Sequence, residues 1–163
     1  MYGEVKMINI KINSIEEMRK FGIFLGGVLK GGDTISLNGN LGAGKTHLTK
    51  YIGEGMGISE HITSPTFAIL NVYSGDTEMY HFDTYRLDGI GDFDELGFDD
   101  YLYSNGVSIV EWAEKISEYL PKDRLDIFIE KGLEEFERIL IIKSKGDRSE
   151  EILGEIKNEY TGN

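Results

Sequence analysis

The run Gly39-Asn40-Leu41-Gly42-Ala43-Gly44-Lys45-Thr46 satisfies the pattern G-x-x-x-x-G-K-S/T at every fixed position. Its glycines let the backbone wrap closely around an anion and aim successive N–H groups inward. Thr34 to Leu37, just before the run, reads as a short strand, and about Lys45 to Gly55 reads as a helix. A helix starting there would set its positive N-terminal end beneath the same anion. In that setting Lys45 is expected to reach the β- and γ-phosphates of a nucleotide, and the Thr46 hydroxyl to ligate Mg²⁺. Asn40, Leu41, Gly42, Ala43, Gly44 and His47 are the remaining candidates for the cradle. No Asn-Lys-x-Asp motif for reading guanine occurs in the chain, which favours ATP over GTP.

The rest of the chain can be laid out around this loop. Val5, Met7, Ile10 and Ile12 suggest an alternating opening strand. Ser14 with Glu17 forms a capping-box pattern, predicting a helix to about Lys30 with Ile15, Met18, Phe21, Leu25 and Val28 toward the core. Gly31-Gly32-Asp33 breaks the chain before the strand that feeds the loop. Further on, Phe67 to Tyr73 and Glu78 to Phe82 read as strands around the turn Ser74-Gly75-Asp76, so a hairpin is expected. From Leu87 to Glu114 there are eight acidic residues and no Lys or Arg. That stretch reads as a loop with short helical turns followed by a strand at Val107 to Val110. A helix from about Ala113 should end at Leu120, before Pro121. Strands near Leu125 to Glu130 and Phe136 to Ile142 follow, then an amphipathic helix over about Ser149 to Tyr160. The expectation is one domain over residues 1–163. Its fold is α/β, a P-loop NTPase-like three-layer arrangement with a mixed, partly antiparallel central sheet.

A loop of this kind needs a further acidic group for the metal, typically at the end of a strand beside the loop's own strand. Asp83, closing the apolar run Met79 to Phe82, suits that role, although a turn-forming aspartate would look the same. Glu111 directly follows Ser108-Ile109-Val110, at the strand end where α/β sheets gather their ligands. It could complete the metal shell or orient an attacking water. Trp112, the single tryptophan, could pack near the nucleotide or simply fill the core. Ser64-Pro65-Thr66-Phe67 lies where a switch segment would sense the γ-phosphate, and it also reads as an ordinary Ser-Pro turn. Arg86 is a candidate for stabilising transition-state charge, or for a structural ion pair.

Composition narrows the classes. The chain is 40% hydrophobic and 28% charged, as a globular protein is. Acids outnumber bases 29 to 17, for a formal net charge of −12, and there is no long basic run. Independent binding to DNA or RNA is therefore disfavoured. The absence of cysteine excludes disulfides, thiolate metal sites and cysteine nucleophiles. The first residues lack the basic and apolar regions of a signal peptide, and a soluble cytoplasmic protein is the expectation.

Taken in order, these segments resemble the TsaE family, small ATPases of bacterial tRNA threonylcarbamoyladenosine synthesis. The resemblance is carried by the glycine-rich loop, by Ser64-Pro65-Thr66-Phe67 and by His81-Phe82-Asp83-Thr84-Tyr85-Arg86-Leu87. Glu95-Leu96-Gly97 and Val110-Glu111-Trp112 extend it, so that it runs from about Ser14 to Lys131. It implies ATP and Mg²⁺ as cofactors, Asp83 and Glu111 serving metal and hydrolysis, and Ser64 to Phe67 as a switch. It also implies a nucleotide near Trp112. The implied partners are a threonylcarbamoyltransferase subunit and its non-catalytic paralogue, with tRNA met only through that complex. Two positions depart from the family pattern. His47 stands where a second hydroxyl residue is usual, and Ala113 where proline commonly follows Glu-Trp. A small-molecule kinase, or a nucleotide-dependent switch with negligible hydrolysis, are the alternatives the residues leave open.

Overall fold

The structure is a computed structural model that describes residues 5–40, 42–65, 70–84, 97 and 99–160. Seven strands form a single mixed sheet in the order β1-β7-β6-β2-β5-β4-β3. They are β1 Lys6–Ile12, β2 Thr34–Gly39, β3 Leu70–Tyr73, β4 Met79–Asp83, β5 Val107–Glu111, β6 Arg124–Lys131 and β7 Arg138–Lys145. The inner strands β6, β2, β5 and β4 run parallel, whereas β1-β7-β6 and β3-β4 pair antiparallel at the two edges. The expected hairpin is thus present as β3-β4, and the sheet is mixed, as the sequence suggested.

Side-chain alternation divides the core in two. Along β4, Met79 packs to one face and Tyr80 and Phe82 to the other; along β5, Val107 and Ile109 oppose Val110. The first face is covered by three helices, α1 Ile15–Val28, α2 Lys45–Gly55 and α4 Asp147–Tyr160. The second carries the short helix α3 Asp99–Leu102 and the 3₁₀ segment η1 Ala113–Tyr119, packed through Leu102, Ala113 and Ile116. These are the three layers. Among the described residues no helix is long and apolar enough to cross a membrane.

Helix α1 begins with the N-cap the sequence signals: Ser14 Oγ accepts from the Glu17 N–H at 3.1 Å, while the Glu17 carboxylate reaches back one residue further than in a capping box, accepting from the Asn13 N–H at 2.6 Å. It ends at Val28, two residues before the expected Lys30. Met18, Phe21 and Leu25 are buried and Val28 partly so, but Ile15 is 55% exposed. Ile15 lies in the first turn, at the rim of a cavity beside the glycine-rich loop rather than over the core. Gly22 and Gly26, which the apolar stripe does not reveal, decide the packing instead. A Cβ on Gly26 would overlap the Ile52 carbonyl and the Gly55 backbone, and one on Gly22 would overlap Tyr51. The α1 and α2 backbones therefore approach as closely as small residues permit.

Other boundaries shift for local reasons. In β1 the inward residues are Ile8, Ile10 and Ile12, while Val5 and Met7 are exposed; a period of two from Ile12 leads back to Ile8 and excludes Met7. Strand β7 starts at Arg138, so Phe136 belongs to the preceding turn and is 50% exposed. The expected helix after Trp112 is a 3₁₀ segment kinked at Ile116. Residues 66–69, the start of the expected strand Phe67 to Tyr73, lie outside the described residues, as does most of the acidic stretch at 85–96.

Candidate active site

Strand β2 delivers the chain to the glycine-rich loop at the C-terminal edge of the parallel strands. Gly42 and Gly44 adopt φ of 81° and 112°, left-handed values that a side chain would strain. Gly44 is the N-cap of α2 and has no capping side chain, so the first N–H groups of the helix are not spent on one. Arg138 braces the loop from β7, its Nε donating to the Ala43 carbonyl at 3.0 Å.

Lys45 is buried, and its Nζ donates to the carbonyls of Gly39 at 2.7 Å and Asn40 at 3.2 Å. Its ammonium also lies 4.1 Å from the centroid of the Trp112 ring. Burial lowers the Lys45 pKa from the ordinary lysine value, against the opposing pull of Glu111, Glu114 and Asp83. The next residue, Thr46, points its hydroxyl at Glu111, with Oγ1 3.2 Å from Oε1 and 3.4 Å from Oε2. Glu111 is almost fully buried and is also hydrogen-bonded through Oε2 to His81 Nε2.

The topology corrects one placement. The strand beside β2 is β5, not β4, with Leu37 registered against Glu111. Local sequence does not encode that order; the chain returns past β4 to insert β5 between them. Glu111 therefore occupies the position beside the loop strand that the sequence alone suggests for Asp83. Asp83 stands one strand further out, registered against Glu111, and accepts from the Ser64 hydroxyl at 3.2 Å through Oδ2.

Trp112 takes φ 60° and ψ 38°, the one positive φ outside glycine among the described residues. Its N–H donates to the Leu37 carbonyl at 3.2 Å, and its own carbonyl accepts from the Thr84 hydroxyl at 2.6 Å. The Thr84 N–H donates to the Glu111 carbonyl at 3.1 Å. These bonds hold the turn that presents Glu111 and Trp112 to the loop.

The structure thus brings Lys45, Thr46, Glu111 and Trp112 together, with Asp83 and Ser64 adjoining. Asn40, Gly42, Ala43 and Gly44 form the loop itself, and Pro65 is buried after Ser64. Leu41, Thr66, Phe67 and Arg86 lie outside the described residues. His81, Thr84 and Arg138 had no assigned role in the sequence. The alternation of β4 was the available signal for His81, since it puts residues 79, 81 and 83 on one face.

Beside the loop opens a mostly apolar cavity walled by Ile15, Met18, Tyr51 and Phe136, with Gly44, His47 and Arg138 at its loop side. The oxygen set of Thr46, Glu111 and Asp83 is the hard-donor chemistry that suits Mg²⁺. Among the described residues no group of three or more His, Cys, Asp or Glu could hold a metal. A cation here would draw its other ligands from phosphate and water, as Mg²⁺ at nucleotide sites does.

The comparisons agree on one family. The family model "Threonylcarbamoyl adenosine biosynthesis protein TsaE" matches residues 12–140. A Bacillus subtilis (strain 168) protein described as tRNA threonylcarbamoyladenosine biosynthesis protein TsaE is 37% identical over 153 residues, covering 93% of this chain and 95% of the relative. A Streptomyces coelicolor protein of the same description is 42% identical over 120 residues, covering 71% and 80%. The crystal structure of Bacillus subtilis YdiB superposes with a TM-score of 0.83 at 34% identity, covering 96% of this chain and 98% of that one. On this family match, relatedness and shared fold, the chain belongs to the TsaE family.

Proposed function

We propose that this chain is a Mg–ATP-binding ATPase that supports tRNA threonylcarbamoyladenosine synthesis, acting with a threonylcarbamoyltransferase subunit and that subunit's non-catalytic paralogue. The observation that carries the reading is the convergence of Lys45, Thr46 and Glu111 at the N-terminus of α2. In the proposed complex Lys45 exchanges its two carbonyl partners for the β- and γ-phosphate oxygens. The phosphates also take up the unspent N–H groups of the loop and helix. The cavity at Ile15, Met18, Tyr51 and Phe136 would offer a nucleobase a mostly apolar surface beside the loop. His47 borders that cavity.

Thr46, Glu111 and Asp83 are the residues that would hold Mg²⁺, which supplies charge neutralisation between the β- and γ-phosphates when bound. The Thr46 hydroxyl would offer a lone pair to the cation while keeping its proton, which it donates to Glu111 in a hydrogen bond. Glu111 would orient a water toward the γ-phosphorus by accepting a hydrogen bond from it. The Ser64 hydroxyl donates to the Asp83 carboxylate, which supports the reading of Ser64 to Phe67 as a switch. The identity of the relatives supports the tRNA-modification context, and the net charge of −12 suits a subunit that leaves tRNA to its partners.

Phosphate release from Mg–ATP, measured for the chain alone and with both partner subunits, tests the reading, with Lys45→Ala as control. The expected result is slow release alone and a marked rise in the complex. Release that is absent in both conditions, or that persists in Lys45→Ala, rejects it.

A further inference from the structure

The histidine on β4 has a bond geometry that neither the loop motif nor the family description explains. His81 is fully buried on the same sheet face as Asp83, with Nε2 hydrogen-bonded to Glu111 Oε2 and Nδ1 without a partner. A carboxylate only accepts, so the ring nitrogen facing it must carry the hydrogen. The opposite tautomer would leave a buried N–H with no acceptor at Nδ1, and would set a lone pair against the Glu111 oxygens. His81 therefore sits as a fixed N–H donor, held by its parallel neighbour strand one pleat below the Asp83–Glu111 pair.

We propose that His81 is the positioning residue that fixes the Glu111 carboxylate for ATP hydrolysis. This rests on the reading of Glu111 as the group that orients water. Glu111 has two other attractions in the site, the Thr46 hydroxyl and the charge of Lys45. Both belong to the loop, and both take up a new partner, phosphate or cation, when a nucleotide arrives. The histidine belongs to the sheet and does not. With Oε2 held by His81, the plane of the carboxylate is set before the nucleotide binds, and Oε1 remains on the loop side. Without the donor, the carboxylate is free to swing toward the Lys45 ammonium, and a water aligned by it loses its line to the phosphorus. Small misplacements of this kind cost rate out of proportion to their size.

The bond itself is read by NMR of the imidazole, as an Nε2–H proton in slow exchange that disappears in Glu111→Ala. Its absence from the wild type overturns the proposal. The role is read by single-turnover hydrolysis of Mg–ATP together with the Kd of Mg–ATP. His81→Leu should lose about 10- to 100-fold in rate, with Kd within about 3-fold of wild type. His81→Gln, whose amide reaches about as far as Nε2, should recover most of that rate. His81→Asn, whose amide falls short, should not. In a Glu111→Gln background His81→Leu should cost nothing further, because the two act as one unit.

Equal losses in both backgrounds, or Gln no faster than Asn with both folded, overturn the proposal and leave His81 a core residue. Parallel loss of rate and nucleotide affinity does the same. A Glu111→Gln protein that hydrolyses at the wild-type rate instead overturns the underlying reading of Glu111, and is distinguished by that result alone. If His81→Leu fails to fold, the comparison of Gln with Asn decides.

Discussion

The ammonium of Lys45 stands 4.1 Å above the ring centroid of Trp112 while it donates to two carbonyls of its own loop. The lysine is thus fully engaged before any nucleotide arrives, and binding is an exchange of partners. A cation over an indole face is worth about 0.5–2 kcal/mol, which phosphate charge readily outweighs. Since Trp112 is the chain's only tryptophan, the exchange has a clean optical reporter. Tryptophan emission should change saturably on addition of Mg–ATP. Lys45→Ala should abolish both the titration and calorimetric binding. An Ala variant that binds with wild-type affinity rejects the loop as the nucleotide site.

Glu111 is tied to Thr46 and His81, not to the loop backbone, so its charge can be removed without dismantling the cradle. Glu111→Gln should keep nucleotide affinity within several-fold and slow hydrolysis by about 10²-fold or more. The measurement is turnover in the assembled complex beside calorimetry on the variant. Unchanged turnover removes Glu111 from the hydrolytic machinery.

The α1–α2 contact makes a prediction about stability. Gly26 faces the Ile52 carbonyl and the Gly55 backbone, neither of which can rotate away from an added methyl. Gly26→Ala should therefore destabilise by about 1–3 kcal/mol despite alanine's better helix propensity. Gly27 on the same helix meets nothing within 4 Å, so Gly27→Ala should be neutral or mildly stabilising. Chemical denaturation of the pair checks the contrast; equal effects would mean that the helices have room to separate.

What was legible in the sequence was local. The capping box at Ser14, the strand–loop–helix at Thr34 to Gly55 and the acids closing β4 and β5 all signal themselves within a few residues. Two classes of feature do not. Strand order is non-local: nothing near Asp83 says that β5 will come between it and the loop strand, so which of Asp83 and Glu111 adjoins the loop strand is decided only by the fold. Small or solitary residues are the other class. Gly22 and Gly26 interrupt an apolar stripe and look like breaks in it, although they set the distance at which α2 and its loop are held. A single histidine in an apolar strand looks like core, and only the neighbouring strand supplies the carboxylate that gives it a role.

At the opposite end of β2 from the site, Arg148 grips Asp33 with Nε and Nη2, each at 3.0 Å, and Nη2 also donates to the Val28 carbonyl at 3.0 Å. Asp33 is only 6% exposed and takes a further bond from the Lys30 N–H at 2.7 Å. The pair fastens α4 to the turn between α1 and β2, and the carboxylate raises the arginine's pKa above its ordinary value. Arg148→Met leaves a buried carboxylate without its cation. It should cost about 2–3 kcal/mol, below the 3–5 of a fully buried pair because Arg148 is partly exposed. Asp33→Asn added to Arg148→Met removes the unpaired charge and should recover part of that loss. Urea midpoints at unchanged slope measure both steps. Nucleotide affinity should stay at the wild-type value throughout, because the change lies at the far end of the strand from the loop. A double variant less stable than Arg148→Met would show that Asp33 stabilises the turn through its backbone bond rather than through the arginine.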